Sequence, residues 1–346
     1  MQFGIFDHME QRGGSLAELY AERLEMLEYA DANGFARYHK AEHHFTVLDA
    51  APSSSVFLAA ASQRTRRIRL GALVLLLPFH HPLRLIEEIC ALDHLTGGRL
   101  DVGIGKGISP VEHRLWGNAA DEAQALAVEI AEILRNGLTH ARLTHHGARH
   151  RFEDVPMKLT PRQRPHPPLW YPGNVEFAGA HRLNTVVGGP TAFVAAQAQR
   201  FRTLASQSTT DWNPGVATPV IGATRHVFVA ASRAEAHARA SAAWKRYDAN
   251  LTSLWRAYGV ELPMSPSLNG DFERALAVEA VLAGTADEVR AHVERLRDEA
   301  GIDYFVGAFA WGDLSHAETM GSLERFVGGV VRPLLGAPSD RDARAV

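Results

Sequence analysis

The apolar and polar positions of this chain switch between two periods from the first residues onward. Gln2 to Asp7 reads as a strand. Ser15 to Ala32 then carries apolar side chains at Leu16, Leu19, Tyr20, Leu24, Leu27 and Ala30, the spacing of one helix face. Asn33-Gly34 supplies the left-handed backbone that ends a helix. Phe35 to Ala41 leaves no room for a second helix and reads as a strand running into the polar cluster Tyr38-His39-Lys40-Ala41-Glu42-His43-His44-Phe45. Further on, helical patterns over residues 53–64, 82–95, 118–136, 175–183, 191–204, 233–258, 286–300 and 316–331 are interleaved with strands at 68–77, 99–105, 168–171, 184–188, 220–230 and 302–309. The run at 68–77 is almost continuously apolar, as in a strand covered on both faces of a parallel sheet. Eight strands, each followed by helical sequence, imply an α/β fold with a parallel sheet and right-handed crossovers. That number suggests closure into a (β/α)8 barrel of the TIM type. One domain is expected over residues 1–336, with the polar stretch 337–346 as a frayed tail.

Two stretches interrupt the alternation. Residues 140–168 are polar and proline-rich and hold His140, His145, His146 and His150. No metal-ligand spacing stands out among them, so a solvated loop or short hairpin is expected rather than a metal site. Residues 259–273 read as a long loop suited to covering the barrel mouth. Composition narrows the picture further. With 46% hydrophobic and 22% charged residues the chain resembles an ordinary soluble protein, and a net charge of -3 gives no reason to expect nucleic acid or an anionic membrane as a partner. The longest apolar run, residues 71–79, is too short to span a bilayer, and the N-terminus lacks the pattern of a signal peptide. Cys90 is the only cysteine, which excludes an internal disulfide and fits a reducing, cytoplasmic setting. Between Ile89 and Ala91 it reads as a small buried residue rather than a nucleophile.

In an eight-stranded barrel the chemistry sits at the C-terminal strand ends. That rule selects Asp7-His8, Glu42-His43-His44, Leu77-Pro78, Gly105-Lys106-Gly107, Gly173-Asn174, Gly188-Gly189 and Ala310-Trp311. His39-Lys40-Ala41-Glu42-His43 also matches the H-x-x-E-H pattern of zinc proteases. On a helix such residues share a face about 5–6 Å apart. On a strand they lie roughly 13 Å apart and cannot hold one zinc, so no metal is expected. Gly103-Ile104-Gly105-Lys106-Gly107 fails the dinucleotide fingerprint because Ile108 occupies the last glycine position. Lys106 among glycines, and Gly173-Asn174 before a helix, can each hold a phosphate through charge or backbone amides. Two such loops on one rim suggest a phosphorylated cofactor.

Several of these runs together resemble the bacterial luciferase-like flavin-dependent monooxygenases: Glu42-His43-His44-Phe45, then Gly71-Ala72-Leu73-Val74-Leu75-Leu76-Leu77-Pro78 with His81-Pro82, and Leu92-Asp93-His94-Leu95-Thr96-Gly97-Gly98-Arg99 followed by Gly103 and Gly107. Gly284-Thr285-Ala286-Asp287-Glu288-Val289, Gly301-Ile302-Asp303 and Pro333-Leu334-Leu335 extend the likeness to the C-terminal part, while it is thin between residues 192 and 282. The resemblance implies a two-component enzyme. Reduced FMN comes from a separate NAD(P)H-dependent reductase, O2 adds to give a C4a-hydroperoxyflavin, and a small organic substrate is oxygenated. It implies His43 as catalytic acid/base with Glu42 orienting it or serving structure, and a non-proline cis peptide at Leu73-Val74 beneath the flavin. It places the flavin phosphate at Lys106 and at Gly173, Asn174 and Val175. Asn174-Val175 stands where relatives commonly have serine or threonine, and Gly105 stands where luciferase itself has a reactive cysteine, so luciferase's own substrate pocket does not carry over. Trp311 is expected to line the substrate pocket, and a homodimer through the helices at 53–64 and 82–95 is expected. Three other readings compete: hydride transfer from a reduced deazaflavin, a flavin-binding protein without turnover, and the zinc hydrolase that strand geometry argues against.

Overall fold

The computed structural model describes residues 1–261 and 270–335. The expected polar tail and most of the expected mouth-covering loop (262–269) lie outside these. Eleven strands occur among the described residues: β1 (Gln2–Asp7), β2 (Arg37–Lys40), β3 (Arg69–Leu76), β4 (Leu100–Gly105), β5 (Arg142–His146), β6 (Arg151–Pro156), β7 (Leu169–Trp170), β8 (Thr185–Val187), β9 (Ile221–Val229), β10 (Val281–Gly284) and β11 (Tyr304–Ala308). The main sheet is parallel in the order β10-β9-β11-β1-β2-β3-β4-β7, with β8 beside β9. The far end meets β8 through a single parallel bridge, Trp170 to Asn184. This is the α/β architecture of the TIM type that the alternation implies, with one weakly paired seam between β7 and β8.

The helices lie where the apolar periodicity puts them, including Leu16–Ala32, Ser54–Arg64, Pro82–Leu95 and Thr191–Gln207. Ser15 caps the first by accepting from the amide of Glu18, and Thr285 with Glu288 forms a capping box on Ala286–Asp298. The histidine-rich insertion forms the short hairpin that was one of its two expected forms, β5 antiparallel to β6. Other features depart from the pattern. Short helices at Pro110–Leu115 and Phe272–Ala277 were not expected, the second starting at the end of the stretch 259–273 that reads as loop, and the helix expected from residue 118 begins at Ala123. Strand β10 was not expected at all. Among the described residues no helix is long and apolar enough to cross a membrane.

β10 opens the wall. β8 pairs with β9 at Ile221–Ala223 and β10 pairs with it at His226–Val229, while β11 takes the other edge. Between the two partners, Thr224 and Arg225 have no neighbour on that edge. Pro190, three residues beyond β8, has no N–H to continue a ladder. The barrel interior is filled by Leu73, Trp170, Val186, Tyr304 and Val306. Tyr304 fits because β1 offers Gly4, where a Cβ would stand within 2.1 Å of the phenol oxygen. His39 points into this interior, its Nε2 2.7 Å from the Tyr304 hydroxyl. Burial pushes its imidazole down to about 3, so it is neutral.

Candidate active site

The turn after β2 is fixed by a buried ion pair, Lys40 Nζ to Asp49 Oδ2 at 2.7 Å, both side chains fully enclosed. The same carboxylate accepts from the His43 amide at 3.0 Å and, through Oδ1, from Ala51 at 2.8 Å. The backbone of the histidine pair is thereby locked to the barrel. Glu112, on the short helix Pro110–Leu115, accepts from the His44 amide at 2.6 Å and stands 3.7 Å from His43 Nδ1. Its helix is capped by Ser109, whose hydroxyl also accepts from Trp255 Nε1 at 2.6 Å. The His43 ring stays partly open to solvent, and across it lies His8 at the end of β1, stacked at 5.6 Å and 29°.

Glu42 serves a different pair. Its Oε1 lies 3.0 Å from His44 Nε2 and 2.9 Å from His80 Nε2. Burial alone would raise this carboxyl, but the two imidazoles outweigh it and hold it at about 2, while burial fails to keep the His80 imidazole from rising beside it. His39, Glu42 and His43 thus face three different surroundings and do not converge on one point.

In β3 the Leu73–Val74 peptide is cis, and the β3–β4 register shifts between Ala72 and Leu75. Gly105 on β4 makes room, since a Cβ there would meet Val74 Cγ2 at 2.5 Å. Leu73 floors a cleft of about 430 Å³ whose sides include Pro172, Gly173, Val187, Phe193 and Thr224. Gly173 has φ 79°, and nothing lies within 4 Å of where its side chain would be. Asn174 accepts from the Phe177 amide as helix cap, and Val175 is buried behind it. Lys106 is exposed at the end of β4, the strand beside β7, so the two expected phosphate loops are neighbours on the rim.

Phe6, Gly188, Phe193 and Thr224 are shared with a second cavity of about 770 Å³ at the break between β8 and β10, roofed by the helix Arg233–Ala257. His8, His226, Trp244 and Tyr247 line it. Burial pushes His226 down to about 4 and His8 well below its ordinary value, the latter helped by His43, His226 and Lys40. Trp311 stands behind this wall: its Nε1 donates to the Val227 carbonyl at 3.2 Å and its ring packs on His226 and Trp244. Glu10, fully buried, ties the roof to the rim, accepting from Asn250 Nδ2 at 3.0 Å and the Gly312 amide at 2.7 Å. Sequence reasoning missed Glu112, His226, Trp244 and Tyr247. The last two share the buried face of their helix with Ala236, Ala240 and Ala243, a pattern that reads as plain core.

Known proteins share this sequence pattern and fold. The sequence profile of the luciferase-like monooxygenases matches residues 1–304. The uncharacterized protein y4wF of Sinorhizobium fredii is 37% identical over 318 residues, 91% of this chain and 92% of that one. The oxygenase component of the flavin-dependent trigonelline monooxygenase of Acinetobacter baylyi is 30% identical over 195 residues, 54% of each chain. The crystal structure of the monooxygenase RslO1 from Streptomyces bottropensis superposes with a TM-score of 0.84 at 28% identity, over 97% of this chain and 100% of that one. The chain belongs to the luciferase-like monooxygenase family.

Proposed function

We propose that this chain is the oxygenase component of a two-component FMN-dependent monooxygenase, taking reduced FMN from a separate NAD(P)H-dependent reductase and O2 from solution to oxygenate a small organic molecule. The observation that carries the reading is the cleft floored by Leu73, which shares Phe6, Gly188, Phe193 and Thr224 with the cavity lined by His8, the ring stacked on the partly exposed His43. The residues present fit the cofactor. The cleft has apolar walls for a flat ring system, and open space at Gly173 beside Lys106 suits a phosphate. Bound reduced FMN would supply the electrons that divide dioxygen, one atom entering the substrate and the other leaving as water. Asp49 and Lys40 hold the His43 backbone in place. Glu112 faces Nδ1 of His43, leaving Nε2 to hold or deliver a proton at the mouth. Glu42 holds His44 and His80 to one another. The trigonelline enzyme's name, as a flavin-dependent oxygenase component, supports a reductase partner. The same reading carries a homodimer through Ser54–Arg64 and Pro82–Leu95, where Val56 is 69% exposed.

The test mixes the protein anaerobically with reduced FMN, and separately with a reduced deazaflavin, then admits oxygen while absorbance is recorded. A long-lived oxygen-dependent spectrum with FMN alone, shortened in His43→Ala, is expected. Binding of the deazaflavin only, with no oxygen-dependent species, would replace the proposal with hydride transfer.

A further inference from the structure

We infer that the cavity between β8, β10 and the helix Arg233–Ala257 takes an uncharged, ring-bearing apolar molecule that presents one hydroxyl or carbonyl oxygen to His8 and Tyr247. This deepens the proposed monooxygenase reading and rests on it for the identification of that molecule as substrate.

The cavity's size, about 770 Å³, is that of sites enclosing drug-sized ligands. Phe6, Phe193, Trp244, Val278 and Ala280 give it aromatic and aliphatic walls. The one ionic side chain at its edge is unavailable. Arg225 is fully buried, with its guanidinium donating to the carbonyls of Thr224 (2.8 Å) and Gly189 (2.7 Å) and standing 3.5 Å from Glu279. His8 and His226 are kept neutral by burial, and burial likewise raises the Tyr247 phenol, with Glu10 and Asp248 adding to the effect. A carboxylate or ammonium entering here would lose its hydration and meet no opposite charge.

Some polar tips remain free. Among the described residues the His8 ring nitrogens, the Tyr247 hydroxyl and the Thr224 hydroxyl have no hydrogen-bond partner and, unlike His226 Nε2 and Trp244 Nε1, are not sealed from the cavity. The His8 and Tyr247 rings face each other with centroids 5.6 Å apart, so one ligand can touch both. His8 is also the ring stacked on His43, so an oxygen held there lies beside the group assigned to proton handling.

The test titrates the full chain with 2-naphthol, 2-naphthoate and 2-naphthylmethylamine at pH 7.5 by tryptophan fluorescence, and with FMN in parallel. Naphthol is expected to bind at least about tenfold tighter than either charged analogue, and Tyr247→Phe to weaken it about tenfold, the worth of one hydrogen bond. Ala280→Trp, which fills the cavity from another wall, is expected to abolish naphthol binding. Equal or tighter binding of a charged analogue, no measurable naphthol binding, or naphthol binding indifferent to both substitutions would overturn the inference. Failure of FMN to bind while naphthol follows the expected pattern would instead remove the flavin reading and leave the cavity's selectivity standing.

Discussion

Replacing Glu10 by glutamine tests how the roof of the large cavity is held to the barrel rim. Glu10 is fully buried, and burial raises its carboxyl from 4.5 to about 7, against the lowering effect of Asn250 and the Gly312 amide. Below about pH 4.5 the group is protonated in both the folded and the unfolded chain. As pH rises the unfolded chain releases its proton first, so the stability this group contributes at low pH is lost progressively up to about pH 7. Two and a half pH units at about 1.4 kcal/mol each come to roughly 3.5 kcal/mol in full, of which roughly 3 kcal/mol falls above pH 4.5. Glu10→Gln keeps an oxygen for Gly312 and, with the Asn250 amide turned over, donates where the acid accepted, without titrating. The stability of the variant relative to the parent should therefore climb by roughly 3 kcal/mol between pH 4.5 and 7.5. Urea unfolding followed by tryptophan fluorescence at half-unit pH steps measures this difference, in which the other titrating groups cancel. Parallel curves across that range would refute the placement of a proton on Glu10.

Three further substitutions follow from the site. Gly105→Ala sets a methyl 2.5 Å from Val74 Cγ2 and should cost about 1–3 kcal/mol, read as a lowered Tm together with weaker FMN binding. Lys40→Met leaves the Asp49 carboxylate buried without its partner and should cost about 3–5 kcal/mol in urea unfolding; a loss below about 1 kcal/mol would contradict the dependence of that carboxylate on Lys40. Ser109→Ala removes both the acceptor for Trp255 Nε1 and the cap on the helix carrying Glu112, with an expected loss of about 1–3 kcal/mol by the same assay.

The eight strands of the wall were legible because strands covered on both faces, such as Arg69–Leu76, are written as unbroken apolar runs between helical patterns. β10 escaped because Val281–Gly284 is four residues long and abuts a helix start, so it carries no period of its own. That omission hid the cavity as well. Trp244 and Tyr247 become cavity walls only where β8 and β10 part along β9, a tertiary fact that no local pattern encodes. Position at a strand end picked out His43, yet the carboxylate beside it, Glu112, comes from a six-residue helix 69 residues further along the chain. Glu42, adjacent in sequence, turns to His44 and His80 instead. Trp311 sits at an expected strand end, but its N–H is spent on the Val227 carbonyl and its ring supports the wall from behind.

The seam between β7 and β8 divides the molecule mechanically. From β9 through β11, β1, β2 and β3 to β4 the wall is laddered strand to strand, with a register shift at the Leu73–Val74 segment, and its strand ends carry His8 and His43. On the other side β7 contributes two residues and β8 three, met by one bridge and the hydrogen bonds that the amides of Tyr171, Gly173 and Asn184 donate around it, and there lie Gly173, Gly188 and Phe193. Amide protons on the first side should outlast those on the second in native-state hydrogen exchange. A stiff half that keeps reacting groups in register and a compliant half that shapes the rest of the enclosure can change independently, so new specificities can arise at the seam without disturbing the histidine turn.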